Sequence, residues 1–126
     1  MYPEPQILIA DDDTGFLRAL TVRLQREGYR VLVAPDGYQA LAFAVKHTPD
    51  LLILDIRMPA GDGFTVQDRK DRLPELVDVP VIYITGDKSK ETQLRAEEAG
   101  ATVVHKPFDM DELLEVIRRE LTIRVV

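Results

Sequence analysis

The chain has 126 residues, the size of one domain, and its 45% hydrophobic and 30% charged residues exclude wholesale disorder. Cysteine is absent, which excludes disulfides, thiolate metal centres and a cysteine nucleophile. Sixteen lysines and arginines against 22 acids leave a net charge of −6, which argues against direct nucleic-acid binding through bulk charge.

The opening Met1-Tyr2-Pro3-Glu4-Pro5-Gln6 carries two prolines and reads as an extended tail over residues 1–6. After it come the short apolar runs Ile7–Ala10, Val31–Ala34, Leu51–Leu54, Val81–Ile84 and Thr102–Val104. Each has the length of a strand, and most are apolar without alternation, as strands covered on both faces of a parallel sheet are. Behind the first run, Phe16, Leu17, Leu20 and Leu24 form a helical stripe, with Asp13 or Thr14 as N-cap and Gly28 placed to end it. Asp36 and Gln39 have the spacing of a capping box ahead of a second helix, whose buried face is Ala40, Leu41, Ala44 and Val45. A third helix over about Phe64–Leu73 carries Gln67, Asp68, Arg69 and Lys70. So little apolar stripe remains that it is expected to be marginal or held by a partner. The fourth, about Lys88–Ala99, rests on Leu94, Ala96 and Ala99 and closes at Gly100. Asp109 and Glu112 repeat the capping device before Leu113, Val116, Ile117 and Leu121, and residues 123–126 form a C-terminal tail.

Five strands alternating with five helices predict one α/β domain over residues 7–122: a doubly wound, five-stranded parallel sheet with helices on both faces. No apolar run approaches the roughly 18 residues of a membrane span, and no basic region precedes an apolar stretch at the N-terminus. The expectation is a soluble, cytoplasmic protein without a membrane partner.

The chemical signal lies in where the polar residues fall. Asp11, Asp12 and Asp13 follow the first strand without a gap, Asp55 follows the third, Thr85 closes the fourth and Lys106 the fifth. All sit at carboxyl ends of strands, the edge where open α/β sheets bind ligands. If the first and third strands are neighbours, two or three carboxylates share one crevice at the topological switch point. Such a cluster repels itself unless a cation joins it; Lys106 neutralises part of the charge, and all-oxygen ligation suits magnesium. Hydroxyl, ammonium and metal around one carboxylate suit phosphoryl transfer, with Asp55 as the acceptor.

With these residues the chain resembles the receiver domain of two-component response regulators along nearly its whole length. The matching motifs are Ile7-Leu8-Ile9-Ala10-Asp11-Asp12, Leu54-Asp55-Ile56-Arg57-Met58-Pro59 with Asp62-Gly63, Ile84-Thr85-Gly86 and Lys106-Pro107-Phe108. The resemblance implies a flavodoxin-like sheet of order 2-1-3-4-5 and phosphorylation of Asp55 by a histidine kinase, a phosphotransfer protein or a small donor such as acetyl phosphate. It implies magnesium (or manganese) held by Asp12, Asp55 and the carbonyl of Arg57, with Asp11 ligating through water. Thr85 and Lys106 would bind phosphoryl oxygens, and the Lys106–Pro107 bond would be cis. The output would pass through the face of the fourth helix, fifth strand and fifth helix to a downstream protein partner, an output domain or a phosphorylation-dependent homodimer. On this reading the chain is a phosphoacceptor regulator, not an enzyme, with only self-phosphorylation and self-dephosphorylation chemistry.

Three positions depart from the family pattern. Gly86 stands where a small residue, often alanine, is usual, which preserves donor access; Val103 replaces the usual aromatic switch residue; and the third helix is polar where the family is apolar. Arg57 and Asp87, each two residues beyond a site residue, are expected to face each other over the phosphoryl group as modulators of its lifetime. Two rival functions are a receiver that docks without phosphorylation and a phosphohydrolase of the haloacid dehalogenase type. Against the second, Gly15 stands where its Asp-x-Asp-x-Thr/Val motif needs Thr or Val. The sequence leaves open both a stand-alone regulator and a receiver unit of a longer protein.

Overall fold

The computed structural model describes residues 4–125, with side chains through residue 122. Its strands are β1 (Gln6–Ala10), β2 (Arg30–Ala34), β3 (Leu51–Asp55), β4 (Val81–Thr85) and β5 (Thr102–His105), all parallel in the order β2-β1-β3-β4-β5. The helices are α1 (Thr14–Arg26), α2 (Gly37–His47), α3 (Gly63–Lys70), α4 (Lys90–Glu98) and α5 (Met110–Val125). β1 thus begins inside the expected tail, with Gln6 paired to Arg30, and α5 continues past residue 122. Residues 1–3 of that tail and residue 126 lie outside the described residues.

Alternation along each strand builds two cores. Ile7, Ile9, Leu51, Ile53, Ile82, Ile84 and Val104 pack with Leu17, Leu20 and Leu24 of α1 and Leu113, Leu114 and Ile117 of α5. Leu8, Ala10, Leu52, Leu54, Val81 and Tyr83 meet Ala40 and Ala44 of α2, Phe64 and Val66 of α3 and Ala96 of α4. Covered on both faces, β3 and β4 are buried at every residue, so their continuous apolarity is what the layer sandwich demands.

Side-chain oxygens start the helices. Asp13 Oδ1 accepts from the Phe16 amide (3.0 Å), Asp36 from Gln39 (2.7 Å), Asp62 from Thr65 (2.8 Å) and Ser89 Oγ from Thr92 (3.3 Å). Gly28 (φ 93°) follows the end of α1 and Gly100 (φ 71°) the end of α4, as expected of left-handed stops.

Three sequence expectations need correction. Leu41 is half-buried and Val45 is 49% exposed; with Tyr38 and Arg69 they line an open groove between α2 and α3. On α4, Leu94 is exposed, and Thr92 with Ala96 supplies the buried face of a helix bounded at Lys90 and Glu98. The largest difference is α3, which ends at Lys70 and has its own polar anchors among the described residues. Gln67 and Lys70 are buried: Gln67 Nε2 donates to the Ala99 carbonyl (2.9 Å), and Gln67 Oε1 accepts from the Tyr83 hydroxyl. Lys70 Nζ donates to the Val77 carbonyl (3.0 Å) and Asp71 Oδ1 (2.7 Å), tying the helix to the turn-rich segment before β4. Polar residues that find partners bury well, which a hydrophobic-stripe argument does not register.

Candidate functional site

β1 and β3 are neighbours, registered Ala10 to Leu54, so the next step along each chain sets Asp11 beside Asp55 at the carboxyl edge of the sheet. Asp11, Asp12 and Asp55 each place a carboxylate oxygen so that all three lie within 4.8 Å of one another. Asp11 is fully buried, Asp55 is nearly so and Asp12 is exposed, giving a pocket that opens on Asp12's side. Lys106, immediately after β5, reaches back across the edge: its Nζ lies 2.8 Å from Asp11 Oδ2 and 3.6 Å from Asp55 Oδ2. The Lys106–Pro107 peptide bond is cis.

Burial raises the Asp55 pKa above the ordinary carboxylate value, with the charges of Asp11 and Asp12 adding to the rise. The Arg57 amide, which donates to Asp55 Oδ1 at 3.1 Å, and the Lys106 ammonium oppose it. For Lys106, burial is the largest single influence and opposes its charge. Asp11 and Asp55, by hydrogen bond and by charge, outweigh that and hold its pKa above the ordinary lysine value. The pocket therefore carries more negative charge than its one ammonium balances. Three carboxylates form an all-oxygen donor set that fits a hard divalent cation such as magnesium.

The hydroxyl side is equally built. Thr85 ends β4, buried, and its Oγ1 accepts from the Asp87 amide (3.0 Å). Asp87 is a hub: Oδ1 accepts from the Ser89 amide (2.9 Å), while Oδ2 accepts from Thr92 Oγ1 (2.8 Å) and Arg57 Nη2 (2.8 Å). The Ser89 amide first, then Arg57 and Thr92, depress its pKa far below the usual carboxylate range. Arg57 and Asp87 thus face each other as expected, and Asp87 also ties Thr85 to the start of α4. Gly86 is exposed, and a Cβ there would meet nothing within 4 Å, so the approach is open at that point.

The sequence reading gave two residues of this neighbourhood no role at the site. Phe16, assigned to the core stripe of α1, has its ring under Lys106 Nζ, 4.9 Å from the centroid, and Phe108 packs edge-on against Phe16. The signal available was position: Phe16 stands in the first turn of a helix leaving the same sheet edge.

Five parallel strands in this order, with the acids, Thr85 and Lys106 at their carboxyl ends, define a doubly wound α/β fold whose polar residues gather at the ligand-binding edge of the sheet. Residues 7–118 match the family described as response regulator receiver domain, and the chain belongs to that family. It is 37% identical over 115 residues to the DNA-binding dual master transcriptional regulator RpaA of Synechocystis, a match covering 90% of this chain and 48% of that protein. It is 33% identical over 120 residues to sporulation initiation phosphotransferase F of Bacillus subtilis, covering 94% and 95%. Among solved structures, the receiver domain of sensor histidine kinase PA1611 from Pseudomonas aeruginosa, with magnesium in its active-site cleft, superposes with a TM-score of 0.86 at 26% identity. That match covers 94% of this chain and 98% of the other. The chain spans about half the length of the RpaA relative and nearly all of the sporulation phosphotransferase. It is a two-component receiver domain with a flavodoxin-like fold. No helix among the described residues is long and apolar enough to cross a membrane.

Proposed function

We propose that Asp55 accepts a phosphoryl group from the phosphohistidine of a histidine kinase or phosphotransfer protein, or from acetyl phosphate. The observation that carries this is Lys106 Nζ bridging Asp11 (2.8 Å) and Asp55 (3.6 Å) beside Asp12, on the edge where β1 and β3 meet. A carboxylate oxygen of Asp55 attacks phosphorus. The bond from phosphorus to the donor nitrogen or oxygen breaks, and its electron pair leaves with the donor. Lys106 turns from Asp55 to a phosphoryl oxygen while keeping Asp11, and the Thr85 hydroxyl donates to a second oxygen. Asp12, Asp55 and the Arg57 carbonyl would hold magnesium or manganese directly, and Asp11 through water. When bound, the ion neutralises the carboxylates and the transferring phosphoryl charge. The chain is on this reading a regulator whose only chemistry is on itself.

The signal leaves through the Thr85–Asp87–Thr92 chain of hydrogen bonds, which joins the hydroxyl to the first turn of α4. Val103 supplies no ring to rotate, so α4 and the loop before it carry the change to a partner at the α4–β5–α5 face.

The test is mass measurement after treatment with acetyl phosphate and magnesium. A single phosphoryl adduct, lost in Asp55→Asn, is expected; its absence leaves a receiver that only docks. Asp12→Ala should abolish metal binding and adduct together, and normal phosphorylation of that variant in chelator overturns the metal assignment.

A further inference from the structure

Lysine ends a flexible four-carbon stem, and an ammonium that must change partners needs a guide that does not compete for its protons. In this pocket the carboxylates of Asp11 and Asp55 lie within 2.8 and 3.6 Å of Lys106 Nζ, and the Phe16 ring lies 4.9 Å from it. Phe16 is half-buried, and two contacts set its ring. Its amide is capped by Asp13 Oδ1 at 3.0 Å, fixing the first turn of α1, and Phe108 packs against it at 5.8 Å between centroids and 84° between planes. Because Phe108 lies two residues beyond Lys106, both ends of the cis Lys106–Pro107 turn meet the same ring.

We infer that Phe16 is a positioning residue for Lys106, its ring face holding the ammonium over the Asp11–Asp55 pair and guiding it onto the phosphoryl oxygens. The inference rests on the reading of Lys106 as a phosphoryl-oxygen partner. A ring attracts a cation through its quadrupole and accepts no directed hydrogen bond, so it lets the ammonium exchange Asp55 for phosphate. A carboxylate in its place would compete for the ammonium and repel the incoming anion. An aliphatic side chain would pack without attracting.

Phe16→Leu, Phe16→Tyr, Lys106→Ala and the double variant Phe16→Leu/Lys106→Ala test this in the full chain. Phosphorylation by acetyl phosphate is followed by mass, and Lys106 side-chain mobility by 13Cε relaxation in the unphosphorylated protein. Loss of the ring should slow phosphorylation about fivefold in Phe16→Leu and raise Lys106 mobility, while Phe16→Tyr stays within about twofold of the parent. In the Lys106→Ala background, whose residual reaction is slow, Phe16→Leu should add nothing. Unchanged rate and unchanged Lys106 mobility in Phe16→Leu overturn the inference, as does equal slowing with and without the lysine. Parent-like phosphorylation of Lys106→Ala instead overturns the reading of Lys106 itself.

Discussion

Tyr83 is the aromatic residue at the centre of the α3–α4 side, paired in register with Val103 on β5. It is fully buried; its hydroxyl donates to Gln67 Oε1, and its ring packs edge-on against Phe64 at 5.0 Å. Tyr83→Phe removes only the hydroxyl and leaves the ring. Gln67 keeps its Nε2 bond to the Ala99 carbonyl, but its Oε1, in a residue 6% exposed, loses this donor. An orphaned buried acceptor costs about 1–3 kcal/mol. At about 4 °C per kcal/mol for a domain of this size, the melting temperature should fall by about 4–12 °C. The loss should also depend on pH in one direction. Burial first, with the charges of Asp71 and Asp62 adding and Arg95 opposing, holds the folded Tyr83 pKa well above its ordinary value. Below pH of about 10 both folded and unfolded chains keep this proton, and the contribution of the phenol is fully present. Above it the unfolded tyrosine ionises first, so wild-type stability falls by up to about 1.4 kcal/mol per pH unit until the folded group ionises too. Phenylalanine has no such loss, so the deficit of Tyr83→Phe should shrink as pH rises from about 10 to 11. Urea unfolding of both proteins across that range, followed by circular dichroism, measures the difference. A deficit below about 0.5 kcal/mol at neutral pH, or one indifferent to alkali, refutes the reasoning.

Gly37 opens α2 against the loop that follows Asp55: a Cβ there would stand 1.9 Å from the Gly61 carbonyl oxygen. Gly37→Ala should therefore destabilise by about 1–3 kcal/mol in urea, although alanine is the better helix former; equal stability would remove the close approach. Arg57 has a side chain 77% exposed, so Arg57→Ala should barely change stability yet shorten the lifetime of phosphorylated Asp55, measured as adduct decay by mass. Decay at the parent rate refutes a part for the Arg57–Asp87 pair in that lifetime. Asp87→Ala should shorten it too but also loosen α4, because Asp87 accepts from Ser89 and Thr92; amide exchange at residues 89–93 separates the two effects.

Strand positions, caps and the acids of the sheet edge were legible in the chain because each depends on local rules. Most of the apolar runs are strand-length and unbroken, as strands covered on both faces are; Asp13 and Asp36 stand where a first turn has free amides; and Asp11, Asp55, Thr85 and Lys106 occupy strand ends whatever the sheet order. The family motifs then supplied the order 2-1-3-4-5, which periodicity does not contain. Side-chain partnerships across elements were not legible. Gln67 and Lys70 look solvated on a helical wheel, and only the approach of Tyr83, Ala99 and Val77 gives their polar atoms somewhere to go. Leu94 and Val45 look like core for the same reason in reverse: their helices rest on other residues. Phe16 reads as one more stripe residue until β5 brings Lys106 over its ring, 90 positions later in the chain. Periodicity fixes which residues share a face, but the neighbour that face meets is set by packing. In this protein packing decides which polar groups are buried in pairs and which aromatic ring holds the lysine.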